Sequence, residues 1–261
     1  FAAALSEQSS AATPKPRGSD WMQLLPGMAG VERGLCHDIA AHLAQYDAQV
    51  IEMRRLDASG RRAEAHRHFE NLLGPARQAW QALNPRLTVP VFLLVEVALR
   101  TLAWLDCRMA EPPANALVAP ASRVTSLLDA GRWPLGHWLA EVQAASDCPN
   151  LAALSQYLDR RDATLHGRSI RHALLKDWST STRVLMPQLA LKPVLRGVLL
   201  SAQAERLEGR YYVARLFTFL CDLVRSGTEG EAPTWTEVQS QIKSRYTEVH
   251  RLELARTSAP A

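Results

Sequence analysis

One segment, residues 88–109, restricts the possible fold of this chain more than any other. It reads TVPVFLLVEVALRTLAWLDCRM and is apolar on nearly all sides, which predicts a helix buried at the centre of the protein. Its most apolar part, residues 89–105, contains Pro90, Glu96 and Arg100 and is shorter than a membrane span requires. Glu96 and Arg100 lie one turn apart, so we expect an intrahelical ion pair, or alternatively a functional polar pair in the core.

The rest of the chain supplies amphipathic helices to surround this segment. Apolar residues recur every three or four positions in most of it, and helix-forming Ala, Leu, Arg, Glu and Gln are far commoner than Gly and β-branched residues. The predicted fold class is therefore all-α, a multi-helix bundle. Helices are expected near residues 31–56, 62–83, 121–130, 134–146, 151–160, 168–186, 190–207, 211–225 and from 235 onward.

The composition also predicts how the chain is organised. Residues 1–20 are rich in Ala, Ser and Pro without periodicity, so we expect a flexible leader or linker. Residues 21–187 are predicted to form a helical domain, and residues 188–255 to pack on it as C-terminal helices, or to belong to the same single domain. Residues 256–261 are expected to be a tail.

Several functional classes are excluded by what the sequence lacks. The four cysteines are widely spaced and form no C-x-x-C pair, which is typical of reduced thiols in a cytoplasmic protein. The opening FAAAL has no basic start, so no signal peptide is expected. No phosphate-binding glycine loop, dinucleotide fingerprint or nucleophile elbow is present, and Cys36, His37 and His42 do not converge on one helical face as metal ligands must. We therefore expect no cofactor and no metal.

One short segment carries residues suited to chemistry. Residues 161–167 read Arg161-Asp162-Ala-Thr-Leu-His166-Gly167, so that an arginine, an acidic residue and a histidine fall at the end of a predicted helix and in its following turn. A histidine can act as general acid or base near neutral pH, and an arginine offers a planar fork to phosphate oxygens. Asp162 could orient either side chain, and Gly167 would let the backbone turn or approach a phosphate.

This heptapeptide resembles the signature of the HEPN superfamily, helical domains found in toxin ribonucleases, CRISPR-associated ribonucleases and tRNA-cleaving enzymes. The resemblance implies a HEPN-like helical core with additional C-terminal helices. It also implies a metal-independent endoribonuclease or RNA-binding module, in bacterial defence or a toxin system, in which two protomers pair to form one composite site. Carried over to this chain, it assigns catalytic roles to Arg161, His166 and Asp162 and a product ending in a 2′,3′-cyclic phosphate.

The charge pattern around the motif favours a phosphate-facing surface. Between residues 159 and 183 there are six Arg or Lys residues against three Asp, in a chain whose net charge is +4. The candidate phosphate-binding residues beside the motif are Arg160, Arg168, Arg171 and Lys176. The predicted partners are therefore RNA and a second copy of the chain, or a larger protein complex, and not a membrane.

Two alternatives stay open at the level of sequence. An arginine precedes a histidine by five positions four times in the chain, at Arg61/His66, Arg132/His137, Arg161/His166 and Arg245/His250, so the spacing alone does not select one pair. Residues 159–162 could equally be a solvated helix end, and His166-Gly167 a helix stop. The rival function is a non-catalytic helical scaffold or adaptor subunit that docks protein partners through apolar faces.

The aromatic segment GRYYVARLFTFLCDLVR, residues 209–225, has two interpretations of its own. Arg210, Tyr212 and Arg215 could stack on and hold single-stranded RNA. A Tyr/Phe stripe at this spacing is more often part of a core or a dimer face.

Overall fold

A computed structural model describes residues 33–73, 76–84, 89–109, 124–180, 186–198, 200–226 and 232–257. Ten α-helices lie within these ranges, which confirms the predicted all-α, multi-helix fold. The only strands described are a two-stranded hairpin at residues 164–169. The predicted leader, residues 1–20, lies outside the described residues, and so do residues 258–261 of the predicted tail.

The first of two compact units contains the predicted central helix. It is made of α1 (Arg33–Ala58), α2 (Arg62–Leu73), α3 (Ala76–Leu83), α4 (Val89–Met109) and the part of the last helix that begins at Ser244. Helix α1 packs on α2 and α4, and α3 packs on α4. The predicted single helix 62–83 is described as two, on either side of residues 74 and 75.

A buried polar cluster joins α4 to the last helix inside this unit. The Glu96 carboxylate is 1% exposed and accepts hydrogen bonds from Arg245 Nε at 2.8 Å, Arg245 Nη2 at 2.8 Å and Trp80 Nε1 at 2.9 Å. Arg100 Nε lies 3.6 Å from the same carboxylate, which confirms the predicted intrahelical ion pair. Burial alone would lower the pKa of the Arg245 guanidinium, but its bonds to Glu96 and Glu248 raise that pKa above the usual value.

The second unit carries the motif. It contains α5 (Pro134–Ala145), α6 (Leu151–Arg160), the strands β1 (Thr164–Leu165) and β2 (Arg168–Ser169), α7 (His172–Thr180), α8 (Leu191–Leu195) and α9 (Ser201–Ser226, of which Ser226 belongs to the first unit). Two 3₁₀ turns, Thr125–Leu128 and Gln188–Ala190, precede α5 and α8, and the start of α10 (Trp235–Thr257), as far as Lys243, completes the unit. Helices α5 and α6 both pack on α7.

Several predicted helices differ from those observed. Within residues 121–130 the structure describes only the 3₁₀ turn Thr125–Leu128, and the predicted helix 190–207 is divided between α8, which ends at Leu195, and α9, which begins at Ser201. The prediction of a helix that begins at residue 168 is wrong, because a β-hairpin occupies residues 164–169. The helix that follows, α7, spans His172–Thr180. The predicted break at Gly209 is also wrong, because α9 runs without interruption from Ser201 to Ser226. Leu207 and Tyr211 are buried on either side of Gly209, and this packing outweighs the cost of about 1 kcal/mol for a glycine inside a helix.

The start of α10 follows the sequence signal closely. Glu237 Oε2 accepts hydrogen bonds from the backbone N–H and from Oγ1 of Thr234, both at 2.7 Å, and Thr234 Oγ1 accepts from the Glu237 N–H at 3.3 Å. This is the predicted capping box. Across the ranges that are described, no helix combines the length and apolarity needed to cross a bilayer.

Candidate phosphate-binding hairpin

The motif lies on a β-hairpin that follows directly from the end of α6. Arg160 is the last residue of α6 and Arg161 its C-terminal cap, after which Asp162 takes a left-handed backbone conformation with φ of 49°. Strand β1 pairs antiparallel with β2 in the register Thr164 opposite Ser169 and Leu165 opposite Arg168. The two residues left at the tip are His166 and Gly167, whose φ angles of 53° and 72° are those of the turn that matches the twist of a hairpin.

Two buried residues hold the hairpin against the unit. Ala163 and Ile170, which flank the strands, are 0% and 1% exposed. Ser155 Oγ of α6 donates to the Ile170 carbonyl at 2.8 Å, and Ser169 Oγ donates to Asp159 Oδ1 at 2.5 Å. The base of the hairpin is therefore anchored while its tip is exposed.

Arg161 lies at the base of the hairpin, between an aromatic ring and a backbone carbonyl. Its guanidinium carbon is 4.8 Å from the centre of the Tyr157 ring, within range of a cation–π interaction. Its Nη1 lies 3.5 Å from the carbonyl oxygen of Arg196, at the outer limit of a hydrogen bond. The side chain is exposed, so its remaining N–H groups face solvent.

His166 and Asp162 are both exposed, and their side chains make few contacts. Among the described residues, the imidazole of His166 forms no hydrogen bond, ion pair or ring contact, and the carboxylate of Asp162 forms none with Arg161 or His166. The Asp162 backbone carbonyl instead accepts a long hydrogen bond, 3.4 Å, from Arg196 Nη1. The structure thus brings Arg161 and Asp162 together with Arg196, which the sequence did not single out, and shows no direct contact between Arg161 and His166.

The predicted phosphate-binding residues are distributed over three neighbouring elements. Arg160 ends α6, Arg168 lies on β2 opposite Leu165, Arg171 immediately precedes α7, and Lys176 lies within α7. All four side chains are exposed, and within the described ranges none forms an ion pair with a carboxylate. Because these basic residues outnumber Asp159, Asp162 and Asp177 in the same stretch, the net charge around the hairpin is positive.

The structure separates the four arginine–histidine pairs that the sequence could not. Arg245 and His250 are both buried. Arg245 forms an ion pair with Glu96, and His250 Nε2 lies 3.5 Å from Oδ2 of Asp106. Arg61 pairs with Glu64, and His66 lies 3.6 Å from Glu70.

In the pair Arg132/His137, the histidine is half-buried, and its Nε2 lies 2.8 Å from the carbonyl oxygen of Asp129. Arg161 and His166 are both exposed. Among the described residues, they are the one pair of the four in which both side chains are exposed and neither forms an ion pair with a carboxylate.

Comparisons of the chain with models of protein families, with curated proteins and with solved structures find no match.

The aromatic segment of α9 is engaged inside the second unit. Arg210 makes a two-pronged ion pair with Glu141, with N–O distances of 2.5 and 2.7 Å, and its Nη2 also donates to Ser126. Tyr211 is fully buried and donates to the Met186 carbonyl at 2.8 Å, and burial raises the pKa of its hydroxyl to about 12. These contacts favour the core interpretation of the segment over the RNA-stacking one.

The described side chains contain no group of three or more His, Cys, Asp or Glu arranged to hold a metal ion. The side chains of Cys36, His37 and His42 lie outside the described ones.

Proposed function

We propose that the chain is a HEPN-type RNA-binding protein whose hairpin binds the phosphodiester backbone of single-stranded RNA and cleaves it without a metal ion. The proposal is supported above all by the exposure of Arg161 and His166. Among the described residues, this is the one pair of the four in which both side chains are exposed and neither is bound to a carboxylate. An arginine that already satisfies a carboxylate has little left to offer a phosphate, whereas Arg161 presents most of its donors to solvent.

The chemistry follows from the nature of the two side chains. Attack of a ribose 2′-oxygen on the adjacent phosphorus expels the 5′-oxygen and leaves a 2′,3′-cyclic phosphate. The 2′-hydroxyl must lose a proton, the 5′-oxygen must gain one, and negative charge grows on the non-bridging oxygens. In the proposed mechanism His166 performs one of the proton transfers and Arg161 stabilises the growing charge. The other transfer would come from His166 of a second copy, in keeping with the composite site that the resemblance implies.

The decisive variant is His166→Asn, because asparagine tolerates the left-handed conformation at residue 166 and Asn-Gly is the favoured pair for this turn. It removes the imidazole and leaves the hairpin intact. The matched control is His68→Asn, since His68 is exposed on α2, in the other unit. His137 is unsuitable as a control because its imidazole is bound to the Asp129 carbonyl.

The test incubates end-labelled single-stranded RNA with each protein in excess EDTA. We expect cleavage by the wild type and by His68→Asn, products that end in a 2′,3′-cyclic phosphate, and a loss of at least about 100-fold in rate for His166→Asn. Equal cleavage by all three proteins would refute the assignment of His166. No cleavage by the wild type, under conditions where the RNA is bound, would limit the proposal to RNA binding.

A second candidate function, a non-catalytic helical subunit, is favoured by three apolar side chains that face solvent in the second unit. Leu189, Leu200 and Phe219 are 69%, 59% and 47% exposed. Each of them would bury apolar surface if a protein partner covered it. Light scattering of the wild type and of Leu200→Ser tests the simplest form of this idea, in which the partner is a second copy and the substitution shifts the dimer toward monomer.

A further inference from the structure

A second arginine, 35 positions further along the chain, lies beside Arg161. Arg196 caps the end of α8, and the two arginines exchange contacts: Arg161 Nη1 lies 3.5 Å from the Arg196 carbonyl, and Arg196 Nη1 lies 3.4 Å from the Asp162 carbonyl. The Arg196 guanidinium therefore lies at the base of the hairpin, and the Arg161 guanidinium lies at the end of α8. An anion that contacts both guanidiniums would be attracted by two positive charges.

Neither guanidinium is neutralised within the described part of the chain. Asp159, on α6, accepts a hydrogen bond from Ser169, and no described carboxylate, that of Asp162 included, forms an ion pair with Arg161 or Arg196. The contacts they do make, at 3.4 and 3.5 Å, are longer than the 2.7–3.2 Å of ordinary N–H···O bonds. A phosphate oxygen would make shorter, charge-assisted bonds, so these weak contacts are readily exchanged for a ligand.

The backbone around Arg196 is built to bring it to this position. A Cβ atom on the next residue, Gly197, would lie 3.1 Å from Ser146 Oγ and 3.2 Å from Leu158 Cδ2. Leu158 belongs to α6, one turn before the cap that carries Arg161. A Cβ atom at residue 197 would make these contacts tighter than usual, so glycine favours the close packing of the turn after α8 against the end of α6, next to Arg196.

From these contacts we infer that Arg161 and Arg196 together form an oxyanion site that takes a phosphate group. The planar forks of two arginines can each donate two hydrogen bonds to one phosphate, and the Tyr157 ring keeps the Arg161 guanidinium in place from below. The inference deepens the proposed function, on which its RNA arm rests, because a phosphodiester of bound RNA is one source of this group. Free inorganic phosphate is the other source, and binding it requires no ribonuclease activity.

The test follows the side-chain Nε–Hε signals of the arginines in the full chain by NMR during titration with inorganic phosphate at low ionic strength. We expect the signals of Arg161 and Arg196 to shift together with one apparent Kd. In the Arg161→Gln protein, the Kd read at Arg196 should rise about tenfold, because half of the site is gone. Arg206→Gln is the matched control, since Arg206 is an exposed arginine of α9 in the same unit, and should leave the Kd unchanged.

The inference is overturned if the Arg196 titration is the same in Arg161→Gln as in Arg206→Gln, or if phosphate shifts neither signal. A second titration with single-stranded oligouridylate identifies the source of the phosphate. If oligouridylate moves both signals at lower concentration than phosphate, the site serves RNA. If only inorganic phosphate moves them, the two-arginine site stands and the proposed RNA function loses its support.

Discussion

His166 has a backbone conformation that is unfavourable for most residues with a side chain. Its φ of 53° lies in the left-handed region, which glycine and asparagine enter more readily than histidine. Asp162, at the base of the same hairpin, is also left-handed, with φ of 49°. Residues with strained backbone conformations are common at functional sites. The conformation of His166 therefore agrees with an acid–base role for its imidazole.

We therefore predict that His166→Asn stabilises the protein slightly, by about 0.5 kcal/mol, while it removes the proposed cleavage activity. Urea unfolding followed by circular dichroism measures the stability. A clear loss of stability would mean that the imidazole makes structural contacts of its own, and would weaken the functional interpretation of this residue.

Glu96 is the residue on which the buried polar cluster of the first unit depends. Replacing it by glutamine leaves the Arg245 guanidinium buried against a neutral partner, so Glu96→Gln should lower the free energy of unfolding by about 3 kcal/mol. Glu64→Gln removes an exposed ion pair with Arg61 and should have no measurable effect. Similar urea midpoints for Glu96→Gln and the wild type would mean that the cluster contributes little.

Among the elements, the hairpin shows where prediction from sequence fails. Residues 168–186 contain helix-forming residues, and nothing in their periodicity distinguishes a helix from the short hairpin that precedes α7. Tertiary contacts determine the hairpin: Ile170 and Ala163 are buried, and Ser155 donates a hydrogen bond to the Ile170 carbonyl. His166 and Gly167, both with positive φ, close the turn. The same packing brings Arg196 to Arg161, and 34 intervening residues give no local signal for that contact.

Other elements were predictable because their signals are local. Helix α6 begins at Leu151 beside Asn150, whose side chain caps the Ala153 N–H, and it ends at Arg160 as expected. The capping box at Thr234 and Glu237 is equally local, and α10 begins where it predicts. The predicted division of the chain between residues 187 and 188 stays a prediction.

The capping box gives α10 a pH dependence with a definite sign. Hydrogen bonds from the side chain and backbone of Thr234 lower the pKa of Glu237 below its usual 4.5. A lowered pKa means that the carboxylate stabilises the fold at pH values above 4.5, and that this stability is lost as the pH falls through the lower folded value. We expect Glu237→Gln to be less stable than the wild type at pH 7, and the difference to shrink as the pH falls below 4.5, as measured by thermal unfolding. A difference that does not change with pH would exclude the charge of Glu237 as its cause.

At the scale of the whole molecule, the bulk composition was enough to predict the fold class but not the site. Helix-forming residues and one nearly uniform apolar segment predict an all-α bundle, and both units are helical. A net charge of +4 permits RNA binding without specifying where it occurs. The proposed location rests on exposure and pairing: burial removes Arg245 and His250 from consideration, and pairing with Glu64 and Glu70 removes Arg61 and His66.

The most direct test of the proposed RNA-binding surface measures the affinity for a fluorescein-labelled single-stranded RNA over a range of salt concentrations. The wild type is compared with an Arg161→Gln/Arg168→Gln double variant and with Arg206→Gln. If the hairpin binds the RNA backbone, the double variant binds more weakly at low salt, and the slope of log affinity against log salt falls by about 0.7 for each phosphate that the variant no longer neutralises. Arg206→Gln should match the wild type. Identical affinities and slopes for all three proteins would contradict the account and place any RNA site elsewhere on the molecule.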